Sequence, residues 1–204
     1  MNTTSIMIVG VGGQGTLLAS RLLGAALLAR GCDVKVSEVH GMSQRGGSVV
    51  TYVKYGEDVA SPIVDRGEAD VVLAFEQLEA ARWAPYLKQN GKLIMSIQRL
   101  DPMPVITGAA AYPEGITETL QAAGIDLLAL DALSMARQAG SVKAVNVVLL
   151  GALAKTMDIP PEVWETCIRE TVKPAFVEMN LKAFYLGIRG QESGIRGQES
   201  GIRG

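Results

Sequence analysis

The sequence predicts an α/β fold with a mostly parallel sheet and a helical C-terminal section. Two patterns carry this prediction. Short β-branched or alternating runs take turns with segments of helical apolar spacing over most of the chain. From about residue 141 onward, helical segments follow one another without a strand between them. Alternation followed by helices is typical of a sheet that carries helices on its faces.

The N-terminal part predicts a strand, a helix and two further strands. Residues 3–10 are β-branched and end in glycine, which favours a buried strand. Residues 16–31 have helical apolar spacing, many good helix formers and a terminal glycine. Residues 32–39 and 49–56 alternate with period two, as strands do. The first strand, helix and second strand would form a right-handed βαβ unit.

The middle of the chain continues the alternation. Residues 68–75 are an apolar run typical of a strand covered on both faces. A helix is expected at 76–87 and a strand at 91–98. The proline-rich connection 101–115 is expected to hold at most a short edge strand or hairpin, because proline cannot donate to a central ladder.

The C-terminal section predicts one more strand and several helices. Residues 126–133 would be a last strand that runs into a helix, with Asp131 as the N-cap. The apolar segment 141–159 and the segment 160–174 are expected to be helices, the second with prolines in its first turn. A final short helix is expected at 177–188.

The end of the chain differs from the rest in composition. Residues 187–204 repeat the seven-residue unit GIRGQES, with a truncated last copy, and have no apolar stripe to bury. We therefore expect a single domain at 1–186 and a low-complexity, disordered tail at 187–204.

Bulk composition excludes several classes of partner. A hydrophobic fraction of 48% and a mean hydropathy of +0.22 allow a sizeable core. The formal net charge of −2, without a polybasic run, predicts neither nucleic-acid nor membrane binding. The longest apolar run, 144–154, is too short to span a bilayer, and the start lacks the basic region of a signal peptide. We expect a cytoplasmic protein.

The metal-ligating residues are few. Cys32 and Cys167 are far apart in sequence, which argues against a disulfide scaffold, a four-cysteine zinc site and an iron–sulfur cluster held by this chain. The single histidine, His40, has no accompanying metal motif. No metal site is expected on this chain.

A glycine-rich loop follows the first strand. Gly10, Gly12 and Gly15 spell G-x-G-x-x-G, and Glu38 lies downstream where a ribose-binding acid is expected. Such a loop permits a tight turn and a close approach, and a helix N-terminus there favours an anion. The context predicts a Rossmann-like three-layer sandwich. Two interpretations stay open: a dinucleotide site, as in a stand-alone NAD(P)-binding reductase or binding module, or close packing against another loop or chain.

A second polar, glycine-rich loop spans 40–48 and is expected beside the first, at the carboxyl ends of adjacent strands. His40 has the pKa for acid/base work, but without a nucleophile it fits better as a hydrogen-bonded loop residue. Arg45, followed by two glycines, suits a carboxylate or phosphate, or else a surface ion pair.

Two residues outside the loops also carry open alternatives. Glu76 either faces the same cleft or is a favourable acid in the first turn of its helix. Asn146 lies on an apolar helical face, where a buried amide must find partners. It would clasp a loop of its own chain or of a neighbour.

Taken together, five segments resemble a known family. They are GVGGQGTLLAS, SEVHGMSQRGGSVVTYVKYG, SPIV, ADVVLAFEQLEAAR and AVNVVLLGAL. Over residues 4 to 185 the chain resembles the small, gamma-type subunits of 2-oxoacid:acceptor oxidoreductases. The second loop is more similar to the indolepyruvate:ferredoxin oxidoreductase branch than to the pyruvate branch.

The resemblance implies a role in a complex. Such enzymes convert a 2-oxoacid and coenzyme A into an acyl-CoA and carbon dioxide, and they reduce ferredoxin. Thiamine diphosphate, Mg²⁺ and [4Fe-4S] clusters lie on a large partner subunit, so this chain would bind no cofactor alone and would act in a hetero-oligomer. The implied interface or substrate-channel residues are Gly12, Gly13, Gln14, Gly15, Glu38, His40, Ser43, Gln44, Arg45, Gly46 and Gly47.

Overall fold

A computed structural model describes residues 3–40, 46–190 and 195–196. Within them, the strands are β1 (Thr4–Val11), β2 (Asp33–His40), β3 (Ser48–Gly56), β4 (Ala69–Ala74), β5 (Leu87–Ser96), β6 (Asp126–Leu130) and β7 (Ile195–Arg196). The α-helices are α1 (Thr16–Ala29), α2 (Gln77–Trp83), α3 (Met103–Ile106), α4 (Ile116–Ala122), α5 (Ala132–Ala139), α6 (Val145–Ala154), α7 (Pro161–Thr171) and α8 (Val177–Gly190). Short 3-10 turns lie at Ala84–Tyr86, Val142–Ala144 and Pro174–Phe176.

The strands form one mixed sheet in the order β2-β3-β1-β4-β5-β6-β7. Strands β1, β4, β5 and β6 pair in parallel. Strand β3 lies antiparallel between β1 and β2, and the two-residue β7 lies antiparallel to β6. Because β2 is antiparallel to β3, it runs in the same direction as β1. The α/β class and the mostly parallel sheet are confirmed.

The expected pairing of the first two strands is wrong in one respect. Strands β1 and β2 are not neighbours, because β2 and β3 pair as an antiparallel hairpin and β3 then takes the place beside β1. The carboxyl ends of β1 and β2 still lie at one edge of the sheet. Val11 is opposite Ser48, and His40 is opposite Val49. We use the name carboxyl edge for this end of the sheet, at which β1, β2, β4, β5 and β6 have their C-terminal residues.

Helices cover both faces of the sheet, so the three-layer sandwich is confirmed. Helices α1, α5, α6, α7 and α8 share one apolar core with the sheet, whereas α2 and α4 share the other. Helix α6 is buried along its whole length, which explains why its sequence is apolar on all sides. None of the described helices is both long and apolar enough to cross a membrane.

Helix α8 packs closely against α6 through two glycines. A Cβ atom on Gly151 would overlap the Phe184 carbonyl, and one on Gly187 would overlap the Val148 carbonyl. The helix continues to Gly190, so it runs past the expected domain boundary at 186. Of the remaining tail, only Ile195–Arg196 is described, as β7. The predicted disorder of the tail stays a prediction.

The regions between β5 and α6 differ most from the sequence-based expectation. The proline-rich connection contains the short helix α3 instead of an edge strand, and α4 follows it unpredicted. Helix α4 begins after Gly115, which has φ 63°, and it buries Ile116 and Leu120 on one side. Such a short helix gives too few residues for a periodic pattern to stand out. The Asp131 cap is confirmed, since its side chain accepts a 3.0 Å hydrogen bond from the Ser134 N–H.

Candidate functional site

The glycine loop joins β1 to α1 at the carboxyl edge. Gly13 and Gly15 have φ angles of 101° and 83°, a region that side chains disfavour. Gly13 is exposed, and a Cβ atom there would meet open space. Gly15 is the N-cap of α1, which has no side-chain capping hydrogen bond. The loop therefore offers a bare helix N-terminus, which favours negative charge.

Gln14 points into the protein and fixes the loop from inside. Its Oε1 accepts a 2.8 Å hydrogen bond from the Val11 N–H, and its Nε2 donates a 2.9 Å hydrogen bond to the Phe75 carbonyl. A Cβ atom on Gly10 would lie 2.9 Å from that Oε1 and 3.0 Å from the Phe75 Cβ. The side-chain amide of Gln14 is thus engaged by its own chain, and Gly10 leaves room for it.

Asn146 clasps the other end of the loop. Its side chain is 3% exposed, and its Nδ2 donates a 3.1 Å hydrogen bond to the Gly15 carbonyl. A Cβ atom on Gly15 would lie 2.6 Å from that nitrogen. Of the two interpretations of Asn146, a clasp on its own chain is the one found. The last glycine of the motif therefore makes room for an α6 side chain, in addition to its positive φ.

The second loop is described only at its ends. Gly12 donates its N–H to the Gly47 carbonyl at 2.9 Å, and Gly46 donates to the Gly12 carbonyl at 3.4 Å. Backbone hydrogen bonds therefore connect the glycine loop to the C-terminal end of the second loop. Glu38 is half-buried on β2, opposite Thr51, and His40 ends that strand. The candidates Ser43, Gln44 and Arg45 lie outside the described residues.

Glu79 ties the second loop to α2, a link that sequence reasoning missed. Ser48, the first residue of β3, donates its hydroxyl to the Glu79 carboxylate. Glu79 is 4% exposed and also accepts hydrogen bonds from Trp83 Nε1 at 3.2 Å and Arg82 Nε at 3.1 Å. In sequence, Glu79 looks like an ordinary polar residue on a helix, so no local signal distinguishes it.

Glu76 caps α2 instead of opening into a cleft. It is 1% exposed, and its Oε2 accepts a 2.9 Å hydrogen bond from the Glu79 N–H. Its Oε1 accepts from the Leu100 N–H at 3.2 Å and from the Tyr112 hydroxyl. Burial, together with this carboxylate neighbour, raises the pKa of Tyr112 well above its ordinary value. The Arg99 guanidinium lies 4.3 Å from the centre of the Tyr112 ring.

A cleft of about 540 Å³ opens beside the glycine loop. Lys143 is the charged residue among those that line it. With the N-terminus of α1, this lysine makes the cleft suited to an anionic group. Its lining residues are Gly13, Gln14, Gly15, Gln98, Leu133, Val142, Lys143 and Val145.

The topology argues against a ribose-binding role for Glu38. In a dinucleotide-binding fold, the acid ends the strand next to the one that precedes the glycine loop. Here β3 lies between those strands. Because neighbouring strands are about 4.8 Å apart, Glu38 lies roughly 10 Å from β1. Glu38 is also not among the residues that line the cleft.

Comparison with known proteins identifies the family. The family model described as pyruvate ferredoxin/flavodoxin oxidoreductase matches residues 5–190. This chain belongs to that family. It is 43% identical over 196 residues to indolepyruvate oxidoreductase subunit IorB of Thermococcus kodakarensis, and the match covers 93% of this chain and 96% of the relative.

Solved structures share the fold. The gamma subunit of a keto/oxoacid ferredoxin oxidoreductase from Geobacter sulfurreducens is similar with a TM-score of 0.70 and 24% identity, over 93% of this chain and 99% of that one. The 2-oxoglutarate:ferredoxin oxidoreductase of Magnetococcus marinus is similar with a TM-score of 0.72 and 18% identity. That match covers 98% of this chain and 32% of the other, so there the fold is part of a longer polypeptide.

These comparisons bear on the two interpretations of the glycine loop. The Thermococcus kodakarensis relative is a subunit of an indolepyruvate oxidoreductase, and it gives no support to a stand-alone NAD(P)-binding reductase. The geometry agrees, because Gly10 and Gly15 make room for side chains of the same chain and Glu38 is displaced from the loop.

Proposed function

We propose that this chain is the small subunit of an indolepyruvate-type 2-oxoacid:ferredoxin oxidoreductase. The complex would oxidatively decarboxylate an arylpyruvate with coenzyme A, which gives an acyl-CoA and carbon dioxide, and the two electrons would pass to ferredoxin. The observation that carries the proposal is the 43% identity to an indolepyruvate oxidoreductase subunit over nearly the full length of both chains.

The chain's own residues do not fit the redox cofactors of such a complex. A [4Fe-4S] cluster takes four cysteine ligands, and the sequence has two cysteines. Cys32 is half-buried just before β2, whereas Cys167 is buried on α7, where burial raises its pKa. Among the described residues, no group of three acidic, histidine or cysteine side chains would hold a metal ion. We therefore assign thiamine diphosphate, Mg²⁺ and the clusters to a larger partner subunit.

The carboxyl edge is the part of this chain that would face the partner. Three large apolar side chains are exposed there: Leu17 follows the glycine loop, Val39 nears the end of β2, and Ile97 follows β5, at 45%, 51% and 41% exposure. Val142, which lines the cleft, is 50% exposed. Exposed apolar patches rimmed by polar residues mark interaction sites.

Within this proposal the two loops have a defined task. Gln14 and Asn146 hold the glycine loop in one shape, and Glu79 anchors the second loop at Ser48, so Gly12, Gly13 and Gly15 would present backbone to an approaching partner. The cleft at Lys143 would accept an anionic part of the substrate or of coenzyme A. The residues Glu38, His40, Ser43, Gln44, Arg45, Gly46 and Gly47 remain proposed interface or channel residues.

Reconstitution tests the proposal. The chain is co-expressed with the large thiamine- and iron–sulfur-binding subunit of its organism, and arylpyruvate oxidation is measured with coenzyme A and ferredoxin. We expect activity to need both chains, and a panel of other 2-oxoacids to react more slowly. Equal activity of the large subunit alone would overturn the assignment.

A titration separates the two interpretations of the glycine loop. The isolated chain is titrated with NADH while the fluorescence of Trp83 and Trp164 is followed. We expect no saturable response. Micromolar binding that a Glu38→Ala substitution weakens would instead favour a reductase.

A further inference from the structure

A twelve-residue surface segment contains no charged side chain. It spans residues 102–113, between Asp101 and Glu114, and we call it the uncharged arm. It includes α3, whose Ile106 and Met103 are 66% and 64% exposed. These are the highest exposures among the large apolar side chains of the described residues. Met103 and Ile106 are three residues apart on α3 and so lie on one face of it, and an exposed apolar face of this kind is typical of a binding surface.

Hydrogen bonds to one buried carboxylate, that of Glu76, hold the uncharged arm near both of its ends. Just before it, the Leu100 N–H donates to Glu76, and near its end the Tyr112 hydroxyl donates to the same carboxylate. Tyr112 is buried, and Val105 packs against the core of the α2 face. The arm thus presents Met103 and Ile106 in a fixed geometry. A preorganised surface loses little conformational entropy when a partner binds.

The arm continues the carboxyl edge described above. Gln98, four residues before it, lines the cleft with the glycine loop and accepts a hydrogen bond from the Gln77 N–H through its carbonyl. Charged groups border the arm without entering it, since Arg99 pairs with Asp101 at 2.7 Å on one side and Glu114 follows on the other. An uncharged centre with a charged rim is the usual anatomy of a protein interface.

We propose that the uncharged arm anchors the large partner subunit, which covers Met103 and Ile106 with an apolar surface of its own. The inference rests on the proposed function and adds the place and chemistry of the contact. The continuity of the arm with the loop edge favours this occupant, because one partner would cover both. Because the arm is uncharged, the partner surface that covers it is expected to be apolar. Any ionised group of the partner placed against the arm would be desolvated without a counter-charge.

Matched substitutions test the anchor. Ile106→Asp places a charge at its centre, and Ile63→Asp does the same at a 60% exposed isoleucine in the β3–β4 connection, at the opposite end of the sheet. Each variant is titrated against the large subunit, and its thermal unfolding is recorded. We expect Ile106→Asp to weaken assembly by about 10-fold or more, and Ile63→Asp by less than about 2-fold, with both variants folded.

A second measurement uses the unmodified chain. Oxidation of Met103 by dilute peroxide is followed in the free chain and in the complex, and we expect at least roughly 5-fold protection in the complex, because an interface core excludes solvent. Unchanged Met103 reactivity with intact assembly would overturn the anchor while leaving the proposed function standing. So would a dimer of this chain that Ile106→Asp dissociates without affecting the large subunit. Failure of the unmodified chain to assemble would overturn the proposed function itself.

Discussion

The glycines of the glycine loop and those of the α6–α8 contact have different structural roles. In the loop, Gly13 and Gly15 adopt positive φ angles, and Gly10 and Gly15 leave room for polar side chains, Gln14 and Asn146. Between the helices, Gly151 and Gly187 let one backbone touch another. The loop glycines make a fixed polar surface at the carboxyl edge, whereas the helix glycines close the apolar core. A glycine motif therefore indicates a close approach, but the neighbour decides whether that approach serves a ligand, a loop or a helix.

The largest effect is expected at the helix contact. A methyl group at Gly187 would overlap the Val148 carbonyl, which backbone atoms cannot avoid without moving α8. We expect Gly187→Ala to lower the free energy of unfolding by about 3 kcal/mol, as overpacking does. Chemical denaturation followed by tryptophan fluorescence measures it.

Gly24 provides the matched control within α1. A Cβ atom there would meet nothing within 4 Å, and the residue lies in a regular helix. Gly24→Ala should raise the free energy of unfolding by about 0.5–1 kcal/mol, because alanine loses less backbone entropy on folding. A similar loss at both positions would mean that the α6–α8 contact is not what constrains Gly187.

The clasp on the loop should show a smaller loss of stability and a separate loss of function. Asn146→Ala removes the side-chain donor to the Gly15 carbonyl, which keeps its hydrogen bonds from the Leu18 and Ala19 N–H groups, and we expect a cost of about 1.5 kcal/mol. Because the clasp sets the loop shape, assembly with the large subunit should weaken as well. Paired denaturation and assembly titrations separate the two losses.

Asn180 is the control for the clasp. It is 5% exposed on α8 and lines a cleft together with Asn146, but its 2.8 Å hydrogen bond goes to the nearby Phe176 carbonyl and not to the glycine loop. Asn180→Ala should destabilise the chain by a similar amount and leave assembly unchanged. If both variants weaken assembly equally, general destabilisation explains the result and the clasp has no separate role.

The sequence predicts this fold well because its strands and helices are marked locally. The β-branched runs and the apolar α6 segment need no tertiary information. The order β2-β3-β1 depends on which strands pair, and residues 32–56 carry no signal that β3 would separate the first two. Gly187 is similarly ambiguous, because the GIRG unit occurs three times and only the first copy completes α8.

Only part of the candidate site could be predicted, because some of its contacts depend on the fold and have no local sequence signal. A buried amide at Asn146 demands a partner, so its clasp could be anticipated, although not its target. Gln14 was expected to meet a partner, but it bonds to Val11 and Phe75 of its own chain. Glu79 has a helical neighbourhood like that of any exposed glutamate, and only the fold brings Ser48 to it.

Gln14 offers a finer test of the loop. In Gln14→Glu, the Oε1 acceptor for the Val11 N–H is kept, but the donor to the Phe75 carbonyl is lost. We expect a loss of about 1 kcal/mol in the free energy of unfolding of the isolated chain, measured by denaturation at neutral pH. Unchanged stability with lost assembly would show that Gln14 contacts the partner instead.

The smallest expected effect is a loss of stability at high pH. It distinguishes a contact in the helical layer from one at the carboxyl edge. The hydrogen bond to the Glu165 carboxylate, aided by burial, raises the pKa of Tyr185 on α8 to about 12. An unfolded tyrosine ionises near pH 10, so this interaction stabilises the fold fully below about pH 10. Its contribution is lost as the pH rises through 12, because the unfolded chain then releases a proton that the folded chain retains.

Denaturation midpoints of the unmodified chain and of Tyr185→Phe, measured from pH 8 to the alkaline limit, isolate this contribution. Tyr112, near the carboxyl edge, also has a raised pKa and remains in the variant, so both proteins lose stability at high pH. We expect the unmodified chain to lose more between about pH 10 and 12, so that the two midpoints converge. Parallel curves would mean that the Tyr185–Glu165 contact contributes nothing, and the alkaline sensitivity would then belong to the carboxyl edge and the remaining tyrosines.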